Sequence, residues 1–378
     1  MNAAHKLGLC LFFAFAMAGS AAAQSGDELI VRIGVGAPLT GPASNFGKGV
    51  ENGARIAIDE ANAAGIMIEG KKAKFELLVE DDQADPRTAT LVAQKLVDAN
   101  VSGVIGHVTS GCTIPASKIY SDAGIPEISP SSTAVAYTAQ GYKTTFRLIA
   151  NDAQQGNVLG AYAAKLGKKV AVVDDRTAYG EGVADYFVNA AKAAGVTVVG
   201  RQYTTDKAVD FMAILTSIKS RSPDVLFYGG MDSQGGPMAK QIRNLGLKVT
   251  LMGADGLDTA EFLKLAGADA DGTIASSPGL PVDKMPGGTE FNEKYTAKYG
   301  TTQLYAPYAY DSVKVMIAAM EKAGSSEPAK YLPVLASIHY SGVTGPISFD
   351  AKGDLNNAAV TVLVVKDGKW EVLQGAGG

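Results

Sequence analysis

The chain has 378 residues, with 34 Lys and Arg against 38 Asp and Glu and a formal charge of −4. Basic residues are spread rather than clustered, which argues against a nucleic-acid partner. Three histidines leave little for a His/Cys metal site, so no metal or cofactor is expected, while the length and the 47% apolar content suit two lobes of ordinary domain size.

The N-terminus reads MNAAHKLGLCLFFAFAMAGSAAAQ. His5 and Lys6 precede an apolar run from Leu7 to Ala18, and Ala21, Ala22 and Ala23 follow. This is the pattern of a secretory signal peptide over residues 1–23, with cleavage expected after Ala23 and a periplasmic destination. Cys10 lies inside the apolar run after Leu9, so lipidation is not expected. No later segment reaches the ~18 apolar residues of a membrane span. After cleavage only Cys112 remains, which excludes an intramolecular disulfide. It is read as a small, partly buried residue near a helix start.

Leu29–Val35 is a β-branched run that ends at Gly36. The next segment places Val50, Gly53, Ala54, Ala57, Ile58 and Ala61 on one helical face. Phe75–Val79 is a strand. Pro86 after Asp85 marks a capped helix start, and that helix buries Ala89, Val92, Ala93, Leu96 and Val97. Val101–Ile105 is a strand, Ile114–Ala123 a helix and Gly124–Ile128 a strand. The rhythm then repeats. Helices are read at Asn151–Leu166, Gly182–Ala194, Phe211–Ser220 and Pro237–Leu245. Strands are read at Lys169–Val173, Val196–Tyr203, Val225–Tyr228 and Val249–Met252. Glu290–Tyr299 and Tyr308–Lys322 are helical, and a terminal hairpin runs from Ala358 to Val372 through Asp367-Gly368.

Repeated βα alternation implies α/β architecture: two doubly wound lobes with parallel sheets. Breaks near Tyr142–Ala150, Ser276–Gly279 and Gly345–Leu355 imply three crossings between them. Lobe 1 is expected at 27–149 and 279–347, and lobe 2 at 150–278 and 348–378. Ligands of such folds lie at the carboxyl ends of strands, in the crevice.

Two strand ends carry hydroxyl clusters. One is Thr109, Ser110 and Gly111; the other is Ser129, Ser131, Ser132 and Thr133. Each is expected to lead into a helix, whose free N–H groups and dipole favour an anion. Each cluster alone reads better as an ordinary cap; side by side they suit a carboxylate seat. Asp255, in MGADGL, follows a strand of the second lobe. It reads either as a partner for a ligand ammonium or as a turn residue beside Gly256. Asp81 and Asp82 read as a solvated loop that caps a helix. GPASNFGKG (Gly41–Gly49) has one residue too many for a phosphate loop, and Gly49 replaces the needed Ser/Thr. Ser110 and His107 lack the nucleophile-elbow pattern, which leaves an exported serine hydrolase as a poor alternative.

The segments IGVGAPLTGPASNFGKGVENGARIAIDEANAAGI, VEDDQADPRTATLVAQKLV, VIGHVTSGCTIPAS, ISPSSTA, DDRTAYGEGVAD, DVLFYGG, LMGADG and GPISFDAKGDL carry a resemblance. Together they resemble the periplasmic binding proteins of branched-chain amino acid ABC transport, the Leu/Ile/Val-binding group, over essentially the whole mature chain. The resemblance implies the type I binding-protein fold with a three-crossing hinge, closing on a free amino acid and presenting it to a membrane permease. It implies that Ser110 and Thr133, with the backbone around Ser131, hold the α-carboxylate; Thr109 and Ser132, from the same two clusters, are expected among the ligand-binding residues. Asp255 would hold the α-ammonium. Phe46, Tyr179, Met231 and Tyr310 would line the cleft. Met231 stands where leucine binders carry a tyrosine, and Ala84 and Thr109 stand where the family has a disulfide pair. The expected function is therefore non-catalytic capture of a branched-chain or other apolar amino acid by a monomer. The alternatives are an amide or aromatic carboxylate ligand in the same fold, the hydrolase, and the sensing domain of a signalling system, for which an output module would be expected beyond Trp370.

Overall fold

The computed structural model describes residues 28–376. The expected leader and its cleavage site lie outside the described residues. The chain opens with β1 (Leu29–Ala37), α1 (Ser44–Ala64), β2 (Met67–Ile68), β3 (Lys71–Asp81), α2 (Pro86–Asp98), β4 (Gly103–Gly106), α3 (Ser110–Asp122), β5 (Glu127–Ser129), α4 (Ala136–Ala139) and β6 (Thr145–Arg147). These strands form a six-stranded sheet in the order β2-β3-β1-β4-β5-β6, parallel except for β2.

The chain then crosses to a second lobe: α5 (Asp152–Leu166), β7 (Lys169–Asp174), α6 (Ala178–Ala193), β8 (Thr197–Tyr203), α7 (Met212–Lys219), β9 (Val225–Gly229), α8 (Asp232–Asn244), β10 (Thr250–Gly253), α9 (Ala260–Ala266) and β11 (Ile274–Ser277). It returns to the first lobe for α10 (Gly288–Tyr299), α11 (Ala306–Ala323), α12 (Pro328–Ala336) and the ribbon β12 (Tyr340–Gly342) and β13 (Gly345–Ile347). A third crossing delivers β14 (Val360–Lys366) and β15 (Lys369–Ala376) to the second sheet, whose seven strands run β15-β14-β11-β10-β9-β7-β8. The fold is therefore two α/β lobes joined by three crossings, as the alternation implied.

Local chemistry explains most element limits. Asp85 accepts from the Thr88 N–H at 2.8 Å with Pro86 in the first turn, a strong helix start. Asn151 and Gln154 form a reciprocal capping box before α5. The apolar face of α1 buries Val50, Ala54, Ala57 and Ala61 completely or nearly so. Gly53 lets α1 meet the backbone of Ala306 on α11, where any Cβ would collide. This close fit joins α11 to the core of the first lobe.

Several expectations need correction. The second hydroxyl cluster does not lead into a long helix: α4 is one turn, too short to gather much dipole. α6 begins at Ala178, four residues before the expected Gly182, because Thr177 caps Gly180. α8 begins at Asp232, with Pro237 inside the helix, where it costs one rung without ending it. Ser276 and Ser277 belong to β11 rather than to a turn-rich break.

Candidate functional site

In each sheet the strand order reverses beside an early strand. β1 lies between β3 and β4, and β7 lies between β8 and β9. Crevices form where connections leave such strands in opposite directions. Phe46 follows β1, Thr109 and Ser110 follow β4, and Ser131 and Thr133 follow β5. From the second lobe, Tyr179 follows β7, Met231 follows β9 and Asp255 follows β10. These residues meet in a small, tightly closed cavity between the lobes, also lined by Val108, Gly256 and Tyr305. A larger open groove lies between the lobes beside Leu280, Trp370 and Val372. The smaller cavity is the stronger candidate, because polar groups converge there from both sides.

The first-lobe wall is neutral and rich in donors. Ser110 Oγ accepts from the Ala134 N–H at 3.1 Å and from the Ser132 hydroxyl at 3.2 Å. Both lone pairs are thus engaged, and its own proton is left for an acceptor in the cavity. Thr109 Oγ1 is buried and has no hydrogen-bond partner. Although Thr109 precedes α3, its side chain does not cap the helix. Ser131 donates to the Val108 carbonyl at 3.3 Å, so its hydroxyl shapes the wall. The lining contains no Lys, Arg or His. Ser132 stands behind the wall rather than in it: it steadies Ser110 and its carbonyl accepts from Arg147 at 3.0 Å.

Asp255 dominates the opposite wall. It is fully buried, and its Oδ1 accepts from the Tyr179 hydroxyl at 2.8 Å and from Gln155 Nε2 at 3.1 Å. Its Oδ2 accepts from the Tyr305 hydroxyl at 2.6 Å. Ser276 donates to Gln155 Oε1 at 2.7 Å, which fixes the Gln155 amide with its nitrogen toward Asp255. Tyr179 also accepts from the Gly256 N–H at 2.9 Å. Burial raises the Asp255 pKa, against the pull of Tyr305, Tyr179 and Gln155. A carboxylate so placed still has acceptor capacity for a cationic group.

Phe46 and Tyr305 stand 5.6 Å apart and, with Met231 and Val108, give the cavity an apolar side. Tyr305 was missed in the sequence, and Tyr310 was expected in its place. The structure corrects this: Tyr310 packs edge-on against Phe291 and donates to Glu60 at 2.6 Å, away from the cavity. The sequence signal was Pro307, which marks the first turn of α11 and leaves Tyr305 at the helix end.

Two further expectations change. Asp82 is not solvated: it is fully buried and holds His107 Nδ1 at 2.7 Å, while His107 Nε2 meets the Tyr120 hydroxyl at 3.0 Å. Both imidazole nitrogens are thereby engaged, and Ser110 binds Ser132 and Ala134 instead of His107. No dyad for a hydrolase forms from these two residues. Cys112 is completely buried, and burial pushes its thiol pKa far up. Among the described residues no group of three or more His, Cys, Asp or Glu could hold a metal ion.

Comparison with known proteins identifies the family of the chain. A family model described as "Periplasmic binding protein" matches residues 30–369. A leucine-, isoleucine-, valine-, threonine- and alanine-binding protein of Pseudomonas aeruginosa is 34% identical over 355 residues, 93% of this chain and 94% of that protein. A crystal structure of a leucine-binding protein from Thermotoga maritima superimposes with a TM-score of 0.84 at 27% identity, covering 91% of this chain and 98% of the other. The branched-chain amino acid transporter substrate-binding protein of Streptococcus pneumoniae, in complex with isoleucine, gives a TM-score of 0.82 at 29% identity over 91% of this chain and 99% of the other. The family's members are solute-binding proteins, and by these matches this chain belongs to the periplasmic binding protein family, within its Leu/Ile/Val-binding group.

Proposed function

We propose that this chain captures a free α-amino acid with a branched or small apolar side chain between its lobes and delivers it to the permease of an ABC importer. One observation carries the reading: Asp255 of the second lobe faces the hydroxyls of Thr109, Ser110 and Thr133 of the first across a single small cavity. A zwitterion needs donors at one end and an acid at the other. Neutral donors without an arginine, set opposite one buried acid, suit that charge pattern and select for an α-amino acid. Phe46, Tyr305, Met231 and Val108 receive the side chain. The carboxylate lies on Ser110, Thr109, Thr133 and the backbone near Ser131, and the ammonium lies between Asp255 and Tyr179.

On this reading the protein is a non-catalytic monomer, exported with its leader cut after Ala23 and active in the periplasm. The lobe limits are 27–149 with 279–347, and 150–278 with 348–378. Phe349 packs on Phe146 at 4.9 Å and Asp354 binds Arg147 at 2.7 Å, which supports moving the last limit beyond Leu355. The names of the relatives favour leucine, isoleucine and valine as ligands.

A thermal-shift screen of the common amino acids against small carboxylic acids and amides tests the reading. A ligand at ~100 times its Kd adds about 2.7 kcal/mol to the folded state, an easily read rise in Tm. Apolar L-amino acids are expected to give the largest rises. A larger rise with an amide or an aromatic acid, or none with any amino acid, overturns it.

A further inference from the structure

The open groove beside the ligand cavity has a volume of about 580 Å³, within the ~300–1,000 Å³ usual for small-molecule sites. Both lobes build it. Asp258, Trp370 and Glu371 come from the second lobe, and Val282 and Leu304 from the first. Its apolar surface includes Leu280 and Val372, which are left exposed to solvent. Trp370, the one tryptophan of the chain, is held in place there. Its indole N–H donates to the Thr259 carbonyl at 3.2 Å, and its ring lies 5.7 Å from that of Phe262.

The charges in the groove are of one sign. It is lined by Asp258, Asp283 and Glu371, and by no Lys, Arg or His. Asp283 pairs with Lys284 at 3.3 Å, whereas Asp258 and Glu371 have no basic partner among the described residues. Burial, with repulsion from Asp255, pushes the Asp258 pKa up to about 7, and Ser277 alone pulls against it. A second polar group is short of a partner at the same end. The Tyr308 hydroxyl is buried and has no hydrogen bond. It reaches the chain at Gly279, between Ser277 and Leu280 of the lining, where any Cβ would collide with it. It also feels the charge of Asp258. A carboxylate without a cation and a hydroxyl without a partner together call for a donor. An ammonium has three, enough for the carboxylate and the oxygens of Ser277 and Tyr308. An indole face adds attraction for the same cation.

We propose that this groove is a second binding site, separate from the amino-acid cavity, for an organic ammonium ion with an apolar body: the ammonium rests on Asp258 with Ser277 and Tyr308, and the body lies along Trp370, Leu280 and Val372. Because its walls belong to both lobes, an occupant favours the closed arrangement, and its affinity is coupled reciprocally to that of the amino acid. The coupling, unlike the site, rests on the reading of the cleft proposed above.

The experiment is a titration with 2-phenylethylammonium chloride read by tryptophan fluorescence, which reports the groove directly because Trp370 is the only tryptophan. It is run at about pH 8, where Asp258 is mostly ionised and the amine still charged. Phenylacetate and 2-phenylethanol carry the same ring with a negative charge and with none. Wild type is expected to give a saturable change with the amine and not with the other two. Asp258→Asn should weaken amine binding by at least ~10-fold. Leu280→Lys, a change at an exposed position, should abolish it by setting a fixed cation in the groove. Asp255→Asn should retain it. No saturable change, an equal response to phenylacetate, or undiminished binding in both D258N and L280K overturns the proposal. So does loss of the response in D255N, since the amine would then occupy the amino-acid cavity. Saturating amine should lower the Kd for L-leucine in calorimetry by at least ~5-fold. A leucine Kd that stays the same or rises overturns the role in closure. If wild type binds no leucine, the functional reading fails, while the fluorescence titration still decides the groove.

Discussion

The Tyr305 hydroxyl donates to Asp255 Oδ2 at 2.6 Å, a hydrogen bond that runs from the core of the first lobe to the buried acid of the second. The acid proposed to hold the ligand ammonium is therefore also a direct tie between the lobes. A bond between residues of different lobes is available only when the lobes meet, so its energy enters the closing equilibrium. A hydrogen bond to a charged group contributes about 1.5–3 kcal/mol.

Tyr305→Phe is accordingly expected to raise the Kd for L-leucine by ~10–100-fold while keeping the ring that faces Phe46. Isothermal calorimetry reads this directly. Unchanged affinity would mean that the bond does not help to hold the closed form.

A second tie links Asn45 at the start of α1 to Asp232 at the start of α8, at 2.8 Å, with Thr259 donating to the same oxygen at 2.7 Å. Burial raises the Asp232 pKa to about 6, against these hydrogen bonds. Because the folded value lies above the ordinary one of 3.8, this group's contribution to stability is full below pH 3.8 and is lost as pH rises through about 6. The difference corresponds to roughly 3 kcal/mol as an upper figure. Melting curves from pH 3.5 to 7 should therefore show Asp232→Asn gaining on wild type as pH rises across that window. A constant difference would show that Asp232 titrates normally.

The parts of this molecule that were legible in its sequence are those fixed by local chemistry. Asp85-Pro86 and the Asp367-Gly368 hairpin each depend on residues within a few positions of one another. The strand-helix rhythm follows from apolar periodicity, which needs no knowledge of the partner surface. What failed depended on tertiary phase. Tyr305 and Tyr310 lie five residues apart in YAPYAYD, and only the packing of α11 on α1 decides that Tyr305 meets Asp255 while Tyr310 meets Glu60. The same holds for Asp82, whose partner His107 lies 25 residues away. Gln155 was passed over because nothing local marks an amide held between Ser276 and Asp255.

Replacing the acid tests the ammonium claim most directly. Asp255→Asn removes the charge and sets an amide NH₂ among three donors, from Tyr179, Gln155 and Tyr305. Loss of a buried, hydrogen-bonded charge partner costs about 2–5 kcal/mol, so leucine affinity should fall by at least ~30-fold. Binding of 4-methylpentanoate, which has the same skeleton without the amine, should not weaken in parallel. Equal losses for the two compounds would mean that Asp255 organises the wall without contacting an ammonium.

Arg147 supports the other wall from behind. It is completely buried; its Nη1 donates to the carbonyls of Ser132 at 3.0 Å and Ala134 at 2.8 Å, and its Nε and Nη2 reach Asp354 at 2.9 and 2.7 Å. One guanidinium thus fixes the loop that carries Ser131 and Thr133 and fastens to it the segment preceding the third crossing. Arg147→Ala leaves Asp354 and two carbonyls without their donor, a change that typically costs about 3–5 kcal/mol. The urea midpoint should drop accordingly, with leucine affinity reduced as well because the hydroxyl wall loses its backing. Arg147→Lys supplies a point charge in place of the planar fork and cannot span both carbonyls and the carboxylate. It should recover part of the stability and little of the affinity. Recovery of both in the lysine variant would mean that charge alone, and not the fork geometry, holds the binding loop in place.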